Sequence, residues 1–115
     1  IQNPGYNTFR DVGSSEYGLL DKLNFFRGIV NTYNHVYQQL YTIDMRTDYT
    51  KLDVPVYFFL GRYDVNAPTV LVEEYVQVLD APDKRIVWFE HSGHSPWINE
   101  PDKFVTEVLS CFSEN

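Results

Sequence analysis

Val54-Pro55-Val56-Tyr57-Phe58-Phe59-Leu60-Gly61-Arg62-Tyr63-Asp64 opens on a continuous apolar run and ends in a polar loop, and Ile86-Val87-Trp88-Phe89-Glu90-His91-Ser92-Gly93-His94-Ser95-Pro96 repeats that plan. Neither run alternates apolar with polar residues. Val54 to Leu60 and Ile86 to Phe89 therefore read as strands covered on both faces, the habit of parallel sheets. Between them Gly61, Asp64, Asn66 and Pro68 mark a loop. Val72, Tyr75, Val76 and Leu79 then recur at helical spacing, with Pro68 suited to a first helical turn and Asp80 to Asp83 closing the helix. Beyond the second run, Asn99, Glu100 and Pro101 open a terminal helix whose apolar face holds Phe104, Val105, Val108, Leu109 and Phe112. The order strand, helix, strand, helix with right-handed crossovers predicts an α/β unit with two adjacent parallel strands.

Working back toward the N-terminus, Leu19, Leu23, Phe26, Val30, Tyr33, Tyr37 and Leu40 predict helix from Ser14 to about Tyr41, broken near Gly28. Ser14 or Ser15 is expected to cap it, with Glu16 and Tyr17 in its first turn. Asp44 to Asp53 is polar and reads as a connector. The chain thus divides into a helical segment with its connector, residues 1–50, and an α/β portion, residues 51–115. The opening residues Ile1, Gln2, Asn3, Pro4 and Gly5 are turn-rich, and the N-terminus reads as a cut. Two parallel strands make a poor sheet alone, so strand Val54 to Leu60 is expected to have a further neighbour. A homo-oligomer, or pairing with the chain's own N-terminal segment or a missing N-terminal portion, would cover that edge.

Composition narrows the function. A chain of 115 residues, 43% hydrophobic and 17% aromatic, has room for one modest core. Nine basic against sixteen acidic residues give a net charge of -7, which repels phosphate backbones and anionic lipid surfaces, so neither nucleic acid nor membrane is an expected partner. The longest apolar run is far too short to span a bilayer. One cysteine, Cys111, permits no internal disulfide, and a reducing, cytoplasmic setting is expected. No cofactor is expected. His91 and His94 form an H-x-x-H pair, but Gly93 and Pro96 argue for a loop, whereas metal sites of that spacing require helical presentation and a third ligand.

In open parallel sheets, reactive groups gather in loops at the carboxyl ends of the strands. Asp64 and His94 each occupy such a loop, and neighbouring strands would let a carboxylate meet the imidazole Nδ1, fixing the tautomer and supporting an imidazolium. The bland alternatives are a capping aspartate and an exposed loop histidine. Tyr63 and Trp97 could line a substrate pocket but read rather as packing aromatics, and Glu16 could meet a substrate amine but is explained by a place in a helical first turn.

The run Val54 to Asp64, followed by Trp88-Phe89-Glu90-His91-Ser92-Gly93-His94-Ser95-Pro96, resembles the last two sheet strands of α/β-hydrolases, and within them the proline-iminopeptidase-like branch. The likeness extends over residues 52 to 112, and Ser14 to Tyr41 resembles the end of the family's cap region. It implies that Asp64 is the triad acid and His94 the general base, in the order the fold uses. The family's nucleophile elbow, G-x-S-x-G, is not in these 115 residues. Gly13-Ser14-Ser15-Glu16-Tyr17-Gly18 brings its second glycine one residue late, and after Gly93-His94-Ser95 come Pro96 and Trp97. Cys111, beside Phe112 in the terminal helix, is expected in the core rather than in a nucleophile's place. The resemblance thus implies a C-terminal fragment of a serine hydrolase acting on a small-molecule ester or amide, carrying acid and base and inactive alone. The other expectation is a non-catalytic interaction module that self-associates through its exposed strand edge.

Overall fold

The structure is a computed structural model and describes residues 7–113. Its elements are α1 (Thr8–Gly13), α2 (Leu19–Thr32), a π-helical turn (Tyr33–Tyr37), α3 (Gln38–Leu40), α4 (Met45–Asp48), β1 (Val56–Gly61), α5 (Thr69–Val78), β2 (Lys84–Phe89), α6 (Pro96–Asn99) and α7 (Pro101–Ser113). They fall into two compact units, one of residues 7–44 and one containing 45–113. The reading of Ile1 to Gly5 lies outside the described residues.

In the second unit β1 and β2 pair in parallel, in register from Val56 opposite Lys84 to Gly61 opposite Phe89. Pro55 has no N–H to give a ladder, so β1 starts one residue after it rather than at Val54. Pairing extends β2 back to Lys84, two residues before the apolar run of Ile86 to Phe89. The two-residue period of a strand sends successive side chains to opposite faces. On one face Phe58 meets Tyr75 of α5 edge-on at 5.9 Å, and the Lys84 ammonium reaches the Val76 carbonyl at 2.8 Å and also the Leu79 carbonyl. On the other face Phe59, Phe89 and Phe104 of α7 form an aromatic cluster with centroids 5.4 to 6.1 Å apart. A helix on each face of a parallel pair is the α/β arrangement that the unbroken apolar runs predict.

Phe89 is fully buried, as are Leu79, Ser92 and Ser95. β1 is only half-buried along most of its length, because among the described residues β2 is its single partner strand. The connector is less featureless than its polarity suggests. It holds one helical turn, α4, and Lys51 makes an isolated parallel bridge with Asp80. The Tyr75 hydroxyl donates to the Tyr49 carbonyl at 2.6 Å, and Arg46 meets Glu74 at 2.6 Å, tying the connector to α5.

The helical unit corrects two expectations. Helix α2 runs unbroken through Gly28; a single glycine costs a helix only about 1 kcal/mol relative to alanine, and the hydrogen-bond ladder continues on both sides of it. The irregularity falls instead at Tyr33–Tyr37, where the helix widens into a π turn. There the Tyr33 and Tyr37 rings stack at 4.9 Å and His35 Nδ1 donates to the Asn31 carbonyl at 2.8 Å. Ser14 ends α1 instead of opening the long helix: it is the C-cap, its N–H reaching the Asp11 carbonyl, and Glu16 and Tyr17 lie in the turn that follows. Gly18 takes the N-cap position of α2, and its N–H donates to the Asp21 carboxylate at 3.0 Å.

Truncating Phe89 to alanine should destabilise the chain by about 3–5 kcal/mol, the usual cost of emptying an aromatic site in a core. Urea unfolding of Phe89→Ala would show it, and a loss below 1 kcal/mol would mean that the aromatic cluster is not the centre of the core.

Candidate active site

The parallel register ends level, with Gly61 opposite Phe89, so the loops leaving β1 and β2 start on the same rim of the sheet. Backbone hydrogen bonds then bind one loop to the other. The Arg62 N–H donates to the Phe89 carbonyl at 2.9 Å, and the Tyr63 N–H to the Ser92 carbonyl at 3.0 Å. Gly61 makes this approach possible, because a Cβ there would sit 1.9 Å from the Gly93 carbonyl oxygen and 2.6 Å from that of Ser92. Outside the rim, Arg62 forms a forked ion pair with Glu90, at 2.9 and 2.7 Å, and lies 3.8 Å over the Trp88 ring.

Asp64 and His94 meet where the two loops converge. Asp64 Oδ2 is 2.9 Å from His94 Nδ1. Its other oxygen, Oδ1, accepts from the N–H groups of Asn66 at 2.9 Å and Ala67 at 3.0 Å, a turn that only a short polar side chain makes with its own backbone. The carboxylate is thus fixed by local hydrogen bonds as well as by the imidazole. Burial pushes the Asp64 carboxyl upward, but the hydrogen bonds from Ala67, His94 and Asn66 outweigh it and hold the group below its ordinary value.

An ionised carboxylate only accepts, so the shared proton resides on His94 Nδ1 and leaves the Nε2 lone pair available. The Asp64 side chain is 11% exposed and that of His94 43%, so the acid is enclosed while the imidazole faces outward. This arrangement can draw a proton from a hydroxyl placed beside Nε2 and stabilise the imidazolium that results.

Of the other residues weighed in the sequence, Ser95 is buried with 1% exposure, and Ser14 and Ser15 lie in the other compact unit. Cys111 is buried, its thiol donating to the Glu107 carbonyl at 3.1 Å, with Arg85 Nη2 at 3.4 Å from its sulfur. His91 is exposed on the turn before Ser92, and no group of three or more metal-ligating side chains converges among the described residues. Tyr63 and Trp97 are about half exposed, the latter with its ring 6.3 Å from Phe104. Gly61 reads in the sequence only as a loop marker and Glu100 only as a helix opener, and Ser92 carries no mark of its own, yet all three shape the site. A glycine closing an apolar strand is a sign of close backbone approach and was the available signal for the first; the short helix α6, which carries the chain from Ser95 to Glu100, had no such signal.

No protein-family model matches the chain. It is similar to the probable aminopeptidase YbaC of Bacillus subtilis (strain 168), with 33% identity over 100 residues, 87% of this chain and 31% of that protein. It is also similar to the pimeloyl-(acyl-carrier protein) methyl ester esterase of Nitrosomonas europaea, with 37% identity over 73 residues, 64% of this chain and 27% of the esterase. Among solved structures it matches an alpha/beta fold family hydrolase from Bacillus anthracis str. Sterne, with a TM-score of 0.58 and 26% identity over 70% of this chain and 28% of that one. The chain spans about a third or less of the length of each of these proteins.

The lowered carboxyl of Asp64 makes it a source of stability that is complete above its unfolded value of about 3.9 and is lost as pH falls through the still lower folded value. Asp64→Asn keeps an acceptor for the turn and removes the charge. Urea unfolding should therefore find the variant less stable than the parent at pH 6, with the gap narrowing once pH falls below about 4. A gap independent of pH would mean that the charge of Asp64 contributes nothing.

Proposed function

We propose that this chain, which belongs to the α/β-hydrolase superfamily and carries the C-terminal portion of its fold, supplies the acid and the general base of a serine hydrolase, Asp64 and His94. The observation that carries the reading is the 2.9 Å contact between Asp64 Oδ2 and His94 Nδ1, with Oδ1 already held by two backbone N–H groups. In this reading His94 Nε2 takes the proton of a serine hydroxyl as that oxygen attacks a small-molecule ester or amide carbonyl, and then gives it to the leaving group. Asp64 keeps the imidazole in the required tautomer and balances its positive charge.

The serine and the oxyanion donors belong to residues beyond these 115. Supporting this are the relatives' greater length and the lack of a G-x-S-x-G in the sequence. Alone, the chain is then inert, since triad members act as a unit. Residues 1–50 supply part of a helical cap and 51–115 part of the core. Within the superfamily the proline-iminopeptidase-like branch fits the closing motifs. Because one relative is named a probable aminopeptidase and another a methyl ester esterase, the substrate class remains ester or amide. No cofactor is needed for this chemistry, and the sequence's single cysteine suits a reducing, cytoplasmic setting.

One observation favours a second, non-catalytic reading, in which the chain self-associates. Strand β1 has no partner on its outer edge among the described residues, and an open edge is a template for another strand. A second copy or the missing N-terminal portion would satisfy it. Nucleic acid and membranes are not partners in either reading, given the net charge of -7.

Three measurements test these readings. Incubating the chain with an activated ester should give neither a burst nor acylated protein; stoichiometric labelling of Ser14, Ser15 or Ser95 would refute the assignment of the nucleophile elsewhere. Light scattering should find a dimer or larger species, and a monodisperse monomer would count against self-association. Sequencing the gene upstream of the Ile1 codon should reveal an in-frame G-x-S-x-G after an apolar strand, whereas its absence would favour the non-catalytic reading.

A further inference from the structure

Six residues beyond His94, Glu100 lies between α6 and α7. Its Oε2 accepts from the Ser92 hydroxyl at 2.5 Å and from the His91 N–H at 3.0 Å. Ser92 is fully buried, and its carbonyl is the oxygen that receives the Tyr63 N–H from the acid loop at 3.0 Å. One small residue is therefore bound on one side to the loop of Asp64 and on the other to the start of α7. The hydroxyl-to-carboxylate bond is charge-assisted and short, the kind that fixes geometry most firmly.

The exposed His94 has no comparable anchorage of its own. Its side chain is 43% exposed, and its hydrogen bond to Asp64 spans 30 residues of chain. The neighbouring turn must therefore be immobilised if Nδ1 is to remain within reach of Oδ2. The fold meets this need through Ser92, two residues before the histidine, and through Ser95, one residue after it, whose carbonyl accepts the Ile98 and Asn99 N–H groups of α6 at 3.0 and 3.3 Å.

We propose that Glu100 is a positioning residue for the base: acting through Ser92 and the His91 N–H, it locks the turn that presents His94 to Asp64. The proposal rests on the reading of His94 as a base for its functional meaning, but the lock itself concerns only geometry. Glu100 touches neither reacting atoms nor the imidazole in this role. A carboxylate at this place is an acceptor for two donors at once, which the side chain of alanine cannot replace and the amide oxygen of glutamine can.

The test is nitrogen-15 NMR of the His94 ring in the chain, at a pH where the imidazole is neutral. In the parent the Nδ1–H tautomer should predominate, because Asp64 accepts from it. Glu100→Ala and Ser92→Ala should lose that excess, shifting His94 toward the Nε2–H form that a free imidazole prefers, while far-UV circular dichroism stays at the parent level. Glu100→Gln should retain it. Folded Glu100→Ala with the parent's tautomer balance would overturn the proposal. If Glu100→Ala does not fold, Ser92→Ala decides in the same way, since it removes only a hydroxyl. A Glu100→Gln variant that loses the Nδ1–H excess as fully as Glu100→Ala would also overturn the argument from acceptor geometry. These outcomes are independent of hydrolysis. Failure of the catalytic reading would appear in the ester and gene tests and would leave the tautomer measurement intact.

Discussion

The close contact of two backbones at Gly61 is the constraint on which the rest depends. β1 and β2 end level, and their loops then have to cross within hydrogen-bonding distance, with the Gly93 and Ser92 carbonyls occupying the space of a side chain at position 61. Any larger residue there has backbone, not a flexible side-chain tip, to displace. From this contact follow the bonds from Arg62 to Phe89 and from Tyr63 to Ser92, and these bring the carboxylate of Asp64 to the imidazole of His94. The aromatic cluster of Phe59, Phe89 and Phe104 lies under the same rim and gives the crossing loops a rigid base.

Much of this was legible in the sequence, for identifiable reasons. Unbroken apolar runs marked β1 and β2 because strands covered on both faces need no polar alternation, and the spacing of Val72, Tyr75, Val76 and Leu79 marked α5 because helical period survives in a short amphipathic segment. That Asp64 and His94 can meet was legible in topology, since consecutive crossover units place the loops after both strands on one edge, whereas the roles of acid and base come only from the resemblance. The helical unit was read less accurately. Gly28 carries the composition of a helix breaker, but the ladder runs through it, while the π turn at Tyr33–Tyr37 leaves no mark in a period of 3.6 residues. Ser14 belongs to the end of one helix rather than the start of the next, a distinction that cap residues alone do not make.

The parts of the site that escaped the sequence are contacts that depend on where short turns bring the chain back. Glu100 was read as a residue opening the terminal helix, and its bonds to the Ser92 hydroxyl and the His91 N–H depend on the short α6 turning the chain back. Exposed charge contributes little to this arrangement. Arg62 and Glu90 are each about half exposed, and solvent screens such a pair strongly; the forked contact sits beside the stacking of Arg62 over Trp88.

The way Asp64 divides its two oxygens also separates what is local in the centre from what is not. The bonds from Oδ1 close loops of two and three residues, whereas the bond from Oδ2 closes one of thirty, and loop-closure entropy grows with that separation. The acidic turn is therefore a local structure, whereas the bond to the imidazole exists only with both strands in place.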